Sequence, residues 1–277
     1  MLQTFRADLH VHTCLSPCAD LGMSPRAIVD RSVELGIDMI AISDHNSAEN
    51  VHAVMKAAEG TRLIVFPGME VTSKEEVHLL GLFNSLDDAL TFQQAVYDHL
   101  PGENDEEAFG MQVIVNEDSE VLGFNPRLLA GATEFTTDQI VEGIHRLNGV
   151  VIASHVDRET FGIIGQLGFI PDGLPLDALE LSPNTTPLMA KRRFPGYAHW
   201  TYVRSSDAHF VHDIGKATTL YMLCDPEVGE LKKALRGEEG RRVVEEEEAA
   251  GDLPRMKKRS FGGFSYARPV AAHTGYC

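Results

Sequence analysis

The sequence predicts an α/β fold built on a parallel sheet, and three observations carry that reading. Short apolar runs alternate with helical stretches along the chain, joined by short connections. Some runs, such as Ile37–Ser43 (IDMIAIS), are apolar almost without a break, as in a strand covered on both faces. Polar and ionisable residues gather directly after the strands, where α/β barrels place their sites. A length of 277 residues is ordinary for one barrel domain, and 43% hydrophobic residues suffice for its core.

The first stretch, Ala7–Asp20 (ADLHVHTCLSPCAD), opens as a short strand around Leu9 and Val11. It sets His10 and His12 on one side, because alternate residues of a strand share a face. Neutral imidazole is the commonest metal ligand, so the pair reads as half of a metal site. Two buried, hydrogen-bonded histidines are the other reading of the same spacing. Ser24 and Pro25 then start a helix as N-cap and first helical residue. Ala27, Ile28 and Leu35 form its apolar side, and Gly36 stops it. The strand Ile37–Ser43 ends in Asp44-His45-Asn46, and Ser47 can cap a helix running to about Glu59.

Leu63–Phe66 is a further strand, leading into Pro67-Gly68-Met69-Glu70. Val77–Phe83 follows, with His78 at its start, and then a helix from about Leu86 to Leu100. Residues 101–133 are less regular; Met111–Val115 and Glu120–Phe124 pair around Asn116–Ser119, an expected insertion on the barrel rim. Thr136 or Thr137 caps a helix to Leu147, ended by Gly149. The strand Val150–Ala153 runs into Ser154-His155. A helix and turn over Phe161–Ile170 lead to the strand Ala178–Leu181 and Ser182-Pro183-Asn184. Thr186–Phe194 is helical and carries Lys191, Arg192 and Arg193. Tyr202–Ser205 leads into Ser206-Asp207-Ala208-His209, Lys216–Leu223 is a last strand and Pro226–Leu235 a last helix.

Beyond Gly237 the composition changes, with acidic Glu245–Glu248, a basic run within Met256–Arg259, and then glycine, aromatic and small residues. The expected division is a barrel over 1–236 and a tail over 237–277, with the composition of a disordered segment. Its basic run offers a contact for an acidic protein partner; a solvated tail is the plainer reading.

The formal charge of −17, from 41 acids against 24 bases, argues against a general nucleic-acid-binding surface. It leaves room for an anionic substrate, because a cluster of divalent metals reverses the local sign. No run approaches the roughly eighteen apolar residues of a membrane span. The first residues lack the charged start and apolar run of a secretory signal. The 4 cysteines are too few for a disulfide framework at this length. The expectation is a cytoplasmic protein. Cys14 and Cys18 lie inside the first loop, where they can bind metal, form a redox switch or remain ordinary reduced thiols.

The ordered series His10-x-His12, Ser43-Asp44-His45, Gly68-x-Glu70, His78, Ser154-His155 and Ser206-Asp207-Ala208-His209 resembles the PHP (polymerase and histidinol phosphatase) family. The similarity runs from about Ala7 to Leu223, and the phrases CLSPCAD, SDHNS and PGMEVTSKEEVHLLGLF resemble a bacterial branch of stand-alone phosphoesterases. The resemblance implies a distorted (β/α)7 barrel with a trinuclear metal centre. It implies that His10, His12, Glu70 and Asp207 bind the first ion. Glu70 bridges to a second, completed by His78 and His155, and Asp20, His45 and His209 hold the third. In place of Asp20, Ser16 or Cys18 can come near that ion. Zinc, manganese and iron all suit imidazole with carboxylate.

The implied reaction is hydrolysis of a small phosphorylated metabolite or nucleotide by a metal-bridging hydroxide, with Glu70, Asp207 and His209 as its catalytic groups. Arg158 can clamp a substrate phosphate or form a surface salt bridge. Lys74 can reach the pocket mouth. Asp44 can orient a ligand imidazole or cap a helix. An exonuclease-like phosphodiesterase and a non-catalytic, metal-dependent sensor of a phosphorylated ligand are the competing readings. A non-phosphate ester or amide hydrolase is a further alternative.

Overall fold

The computed structural model describes residues 1–244. In chain order, β1 (Gln3–Val11) is followed by α1 (Pro25–Glu34), β2 (Met39–Ile42), α2 (Val51–Ala57) and β3 (Ile64–Thr72). Next come β4 (His78–Leu82), α3 (Leu86–Asp98), α4 (Glu106–Phe109), β5 (Val113–Val115), β6 (Val121–Phe124) and α5 (Thr137–Arg146). The chain continues through β7 (Val150–Ala153), α6 (Ile163–Leu167), β8 (Ala178–Leu181), α7 (Pro187–Arg193) and β9 (Tyr202–Arg204). It finishes with β10 (Thr219–Leu223), α8 (Val228–Arg236) and β11 (Arg242–Val244). Residues 245–277, which include most of the expected tail, lie outside the described residues.

A nine-stranded sheet runs in the order β11-β10-β1-β2-β3-β4-β7-β8-β9. It curls until the segment after β9 returns to β1. His12 N donates to Ala208 O (3.0 Å) and Ala208 N to His10 O (3.2 Å), a parallel bridge centred on Val11 and Ala208. The result is a nearly closed barrel with helices around it.

The sheet departs from the expected parallel pattern first at β4, which is antiparallel to both β3 and β7. Only residues 73–77 separate it from β3, too few for the crossover that a parallel pair requires. The reversal carries His78, at the start of its strand, to the end of the barrel where the other strands finish. Strands β10 and β11 add a second antiparallel extension beside β1.

All residues of β2, β4, β7 and β8 are buried. Phe66, Leu80, Leu82, Ile152 and Ala178 share one apolar cluster with Val228, Leu231, Ala234 and Leu235 of α8. Strand alternation puts Glu70 on the face of Phe66, His78 on that of Leu80, and Glu180 on that of Ala178. The polar groups therefore continue this core at one end. Helix α8 covers the other, where Thr201 Oγ1 donates to Leu235 O (2.7 Å) and Arg236 reaches Asp177 (3.2 Å).

Local signals act largely as the chemistry requires. Thr136 and Gln139 form a reciprocal capping box on α5, and Ser85 and Thr186 cap α3 and α7. Ser47 does not cap α2, which starts at Val51; its hydroxyl instead bonds Tyr97 and Gln93 of α3. The expected hairpin forms as a separate two-stranded sheet, β5 with β6. Asn125 ties it down through hydrogen bonds to Glu49 and Tyr97. No helix among the described residues is long and apolar enough to cross a membrane.

Candidate metal centre

The ends of β1, β2, β3, β7 and the return after β9, with the start of β4, bring six imidazoles around two carboxylates. Glu70 is at the centre and only 1% exposed. Its Oε1 lies 3.1 Å from His78 Nδ1, 3.3 Å from His155 Nε2 and 3.4 Å from His10 Nε2. Its Oε2 lies 3.3 Å from His45 Nδ1 and 3.6 Å from His12 Nε2. Asp207 Oδ1 approaches His10 Nε2 (3.3 Å), His12 Nε2 (3.2 Å) and His209 Nδ1 (3.6 Å).

Potential ligand atoms fall into three overlapping groups, each within 4.8 Å: His10, His12, Glu70 and Asp207; His45, Glu70 and His78; His12, His45 and His209. His155 stands outside these groups yet contacts Glu70 directly. Asp20 is not brought in. Its side chain is exposed, and its Oδ1 accepts from Gly22 N at 2.7 Å, turned onto its own loop. Only its backbone reaches the site, Asp20 N donating to His209 O.

The backbone is held tightly here. Glu70 N donates to Asp44 O and Asn46 N to Glu70 O, pinning the end of β2 on β3. His155, Asp207 and Asn46 have φ of +29°, +50° and +50°, a region that costs non-glycine residues about 1–3 kcal/mol. Such conformations persist only where the surrounding contacts over-determine them, and three of them cluster at this site.

Buried partners orient the imidazoles. Glu180 Oε2 accepts from His10 Nδ1 at 2.9 Å, which turns Nε2 toward Glu70 and Asp207. Ser16 Oγ donates to Asp44 Oδ1 (2.7 Å), so it accepts from His12 Nδ1 (3.0 Å) and leaves Nε2 for the cluster. Asp44 thus orients His12 through Ser16. It caps no helix, because its oxygens accept from Thr13 N, Thr13 Oγ1 and Ser16 Oγ. Glu180 went unrecognised in the sequence reading; the available signal was a lone carboxylate inside the apolar strand ALEL.

The site's electrostatics favour a bound cation. Burial opposes charge on Glu70, but His78 and His10 outweigh it and hold the carboxyl well below its usual range. Asp207 is likewise held low, burial being outweighed by His10 and His12. Burial, reinforced by His209, lowers His12 to about 3, keeping it neutral and able to coordinate. Burial and the neighbouring His12 also push His45 well down. His10 is raised well above 6.5, because Glu180, Glu70 and Asp207 overcome burial. A divalent cation at His10 Nε2 would therefore compete with a proton for that position.

The donor set fits divalent metal on a further ground. Glu70 Oε1, His78 Nδ1, His45 Nε2 and His155 Nδ1 are buried without a hydrogen-bond partner. Buried polar atoms are rarely left so, and an ion is one explanation of such groups. His10 Nε2 and His12 Nε2 face each other at 3.1 Å before the same two carboxylates, a convergence suited to a shared cation.

The mouth is a cavity of about 30 Å³ lined by His45, Glu70, His78, His155, Arg158, Thr160, Phe161, Asp207 and His209. Arg158 Nη1 reaches Asp207 Oδ2 at 2.6 Å from a side chain 40% exposed, so it is a site residue. Lys74 is exposed and does not line this cavity. Helix α7 carries Lys191, Arg192 and Arg193 on an exposed face, with Arg193 donating to Asp157 O beside Arg158. Cys14 is buried, and burial together with Asp44 pushes its thiol up to about 12.

The model of the PHP domain matches residues 8–161, more than half of the chain. The chain belongs to the PHP domain family. A stretch of 80 residues is 32% identical to the 5'-3' exoribonuclease Rnm of Escherichia coli (strain K12), covering 27% of this chain and 26% of that protein. In structure, the PHP fold here matches the lesion-specific endonuclease Q of Pyrococcus furiosus with a TM-score of 0.68 at 19% identity. That match covers 87% of this chain and 58% of the endonuclease. A protein described as a metal-dependent phosphoesterase from Bifidobacterium adolescentis matches with a TM-score of 0.50 at 17% identity, over 73% of this chain and 87% of that one. The chain thus spans little more than half the length of the endonuclease and a quarter of the exoribonuclease. The His, Glu and Asp cluster of this PHP domain is suited to binding metal.

Proposed function

We propose that this chain hydrolyses a small phosphorylated metabolite or nucleotide at the Glu70 cluster. The observation that carries the reading is the convergence of six imidazoles on Glu70 and Asp207, with buried ring nitrogens and a carboxylate oxygen left without hydrogen bonds. His10, His12, Glu70 and Asp207 would hold one divalent ion. Glu70, His78 and His155 would hold a second, and His45 and His209 a third. Asp20 would join the third only by rotating away from Gly22. Bound there, zinc, manganese or iron would polarise the phosphoryl oxygens and supply a nucleophilic water at neutral pH.

The chain's own groups set up the rest. Glu180, and Asp44 through Ser16, fix which ring nitrogen His10 and His12 present. Arg158 would leave Asp207 to fork onto a phosphate oxygen at the mouth. A small cavity on a strongly acidic chain suits a small ester or a free phosphate end more than the middle of a duplex. Residues 1–244, with β11 paired on β10, would form the catalytic unit, with 101–133 as a rim insertion and the remaining residues available to a protein partner. A cytoplasmic location fits this reading.

The second reading is an exonuclease-like phosphodiesterase. It is favoured by the segment similar to an exoribonuclease and by the fold shared with endonuclease Q over 87% of the chain. Metal analysis of the purified protein, with a screen of phosphomonoesters, nucleotides and short single strands, separates the two. Phosphate release from monoesters that disappears in Glu70→Gln supports the first reading. Release of nucleotides from strand ends, with monoesters untouched, replaces it with the second.

A further inference from the structure

His78 lacks the hydrogen bond that fixes its neighbours. Glu180 anchors His10, Ser16 anchors His12, and the Asp207 carbonyl lies 2.9 Å from His209 Nδ1. His78 Nδ1 stands 3.1 Å from Glu70 but forms no hydrogen bond. What lies against this imidazole is a ring: Phe161, with centroids 4.4 Å apart and planes 19° from parallel. Phe161 also accepts from His78 N through its carbonyl, at 2.9 Å. Among the described residues it is the one aromatic ring other than histidine in contact with the cluster. His45 and His155 also have an unpartnered nitrogen and lie edge-on to His78, but among the described residues neither stacks on a ring other than histidine.

The loop meets an unusual cost to deliver this ring. Phe161 has φ of +59°, a conformation disfavoured for a bulky side chain. The next residue must be glycine, because a Cβ on Gly162 would lie 2.7 Å from Arg158 O and 3.0 Å from His155 O. A strained residue followed by an obligatory glycine, both beside a buried imidazole, is a backbone built to place one side chain.

We propose that Phe161 is a positioning residue whose stacked ring sets the plane in which His78 offers its nitrogen to a divalent cation at Glu70. The lone pair of an imidazole lies in the ring plane, so rotation about the last side-chain bond swings it off the ion. A parallel ring at van der Waals distance resists that rotation, as a carboxylate partner does for other metal-binding histidines. This rests on the metal-centre reading above.

The test is calorimetric titration of manganese(II) into the full chain as wild type, Phe161→Tyr, Phe161→Leu, His78→Ala and the Phe161→Leu/His78→Ala double variant. Thermal unfolding in chelator accompanies each, and Phe161→Met substitutes if Phe161→Leu does not fold. The expected result is about tenfold weaker binding in Phe161→Leu. Phe161→Tyr retains wild-type affinity, and Phe161→Leu adds no further loss to His78→Ala. Wild-type affinity in Phe161→Leu, or an equal further loss without His78, overturns the positioning role. Absence of manganese binding by the wild type overturns the metal centre itself.

Discussion

Glu180 Oε2 sits 2.9 Å from His10 Nδ1 and 3.2 Å from the backbone nitrogen of His155. One buried carboxylate thereby fixes the ring of His10 and the strained backbone of His155. Glu180→Gln keeps the shape but no longer requires a proton on His10 Nδ1, since its amide can donate as well as accept. Removing such partners typically weakens metal binding about 10–100-fold. Glu180→Gln should bind manganese in that weaker range while folding normally, as measured by titration and circular dichroism. Unchanged affinity would refute the role.

Asp44 accepts from Thr13 N, Thr13 Oγ1 and Ser16 Oγ in a fully buried setting. In Asp44→Ala these donors lose their acceptor, and a stability loss of about 2–4 kcal/mol is expected in urea unfolding. Ser16→Ala should be milder in stability, about 1 kcal/mol, but should still weaken metal binding because His12 loses its fixed orientation. Equal effects of the two variants on both measurements would contradict the relay.

Arg158 pairs with Asp207 at 2.6 Å while remaining partly exposed. Arg158→Met should raise KM for a hydrolysed ester about tenfold, with metal content unchanged, because one charge-assisted contact to phosphate is lost. A loss of metal with no effect on KM at saturating metal would assign Arg158 to the ligand shell instead.

Gly68 stands where three strands crowd. A Cβ there would lie 2.8 Å from Ile42 O and 3.1 Å from Gly81 O, both backbone atoms that cannot swing away. Gly68→Ala should therefore destabilise the fold by about 1–3 kcal/mol and shift the adjoining Glu70. Thermal unfolding and metal titration together would show both effects.

Asp177 ties β7, α5 and α8 together. It accepts from Val151 N and lies within reach of His145 and Arg236. Burial alone would raise its pKa, but the hydrogen bonds from His145 and Val151 outweigh it and hold it below 3.8. A depressed carboxylate stabilises the fold fully above its ordinary value of 3.8 and loses that contribution as pH falls through the lowered one. Asp177→Asn should thus lose stability at pH 7 and show a flatter acid limb below about pH 4. Parallel acid limbs for variant and wild type would contradict this.

The sequence made much of this legible, because a buried parallel strand has to be apolar along its length and its end then stands out. IDMIAIS followed by Asp44-His45 is such a case, and so is Val150–Ala153 followed by Ser154-His155. The reversal of β4 was harder to read. A fully buried strand looks the same in either direction, and only the shortness of residues 73–77 marked it as a hairpin partner. Glu180 lay hidden because a strand pattern reports which face a residue takes, not which imidazole waits opposite. Asp20 shows the reverse problem: a suitable residue type at a suitable spacing, turned by its loop onto Gly22 N. Phe161 was unreadable as a site residue, since a positive φ leaves no mark on a lone phenylalanine.

The pairing of Val11 with Ala208 has a consequence for how the molecule is made. Asp207 and His209 are translated almost two hundred residues after His10 and His12. Until that late segment docks beside β1, His10 and His12 lack Asp207, one of their two shared carboxylates, and the bridge that closes the barrel. A nascent chain would thus offer an ion only part of the cluster. A divalent ion held by this cluster would therefore find its complete set of donors only once nearly the whole barrel had been synthesised.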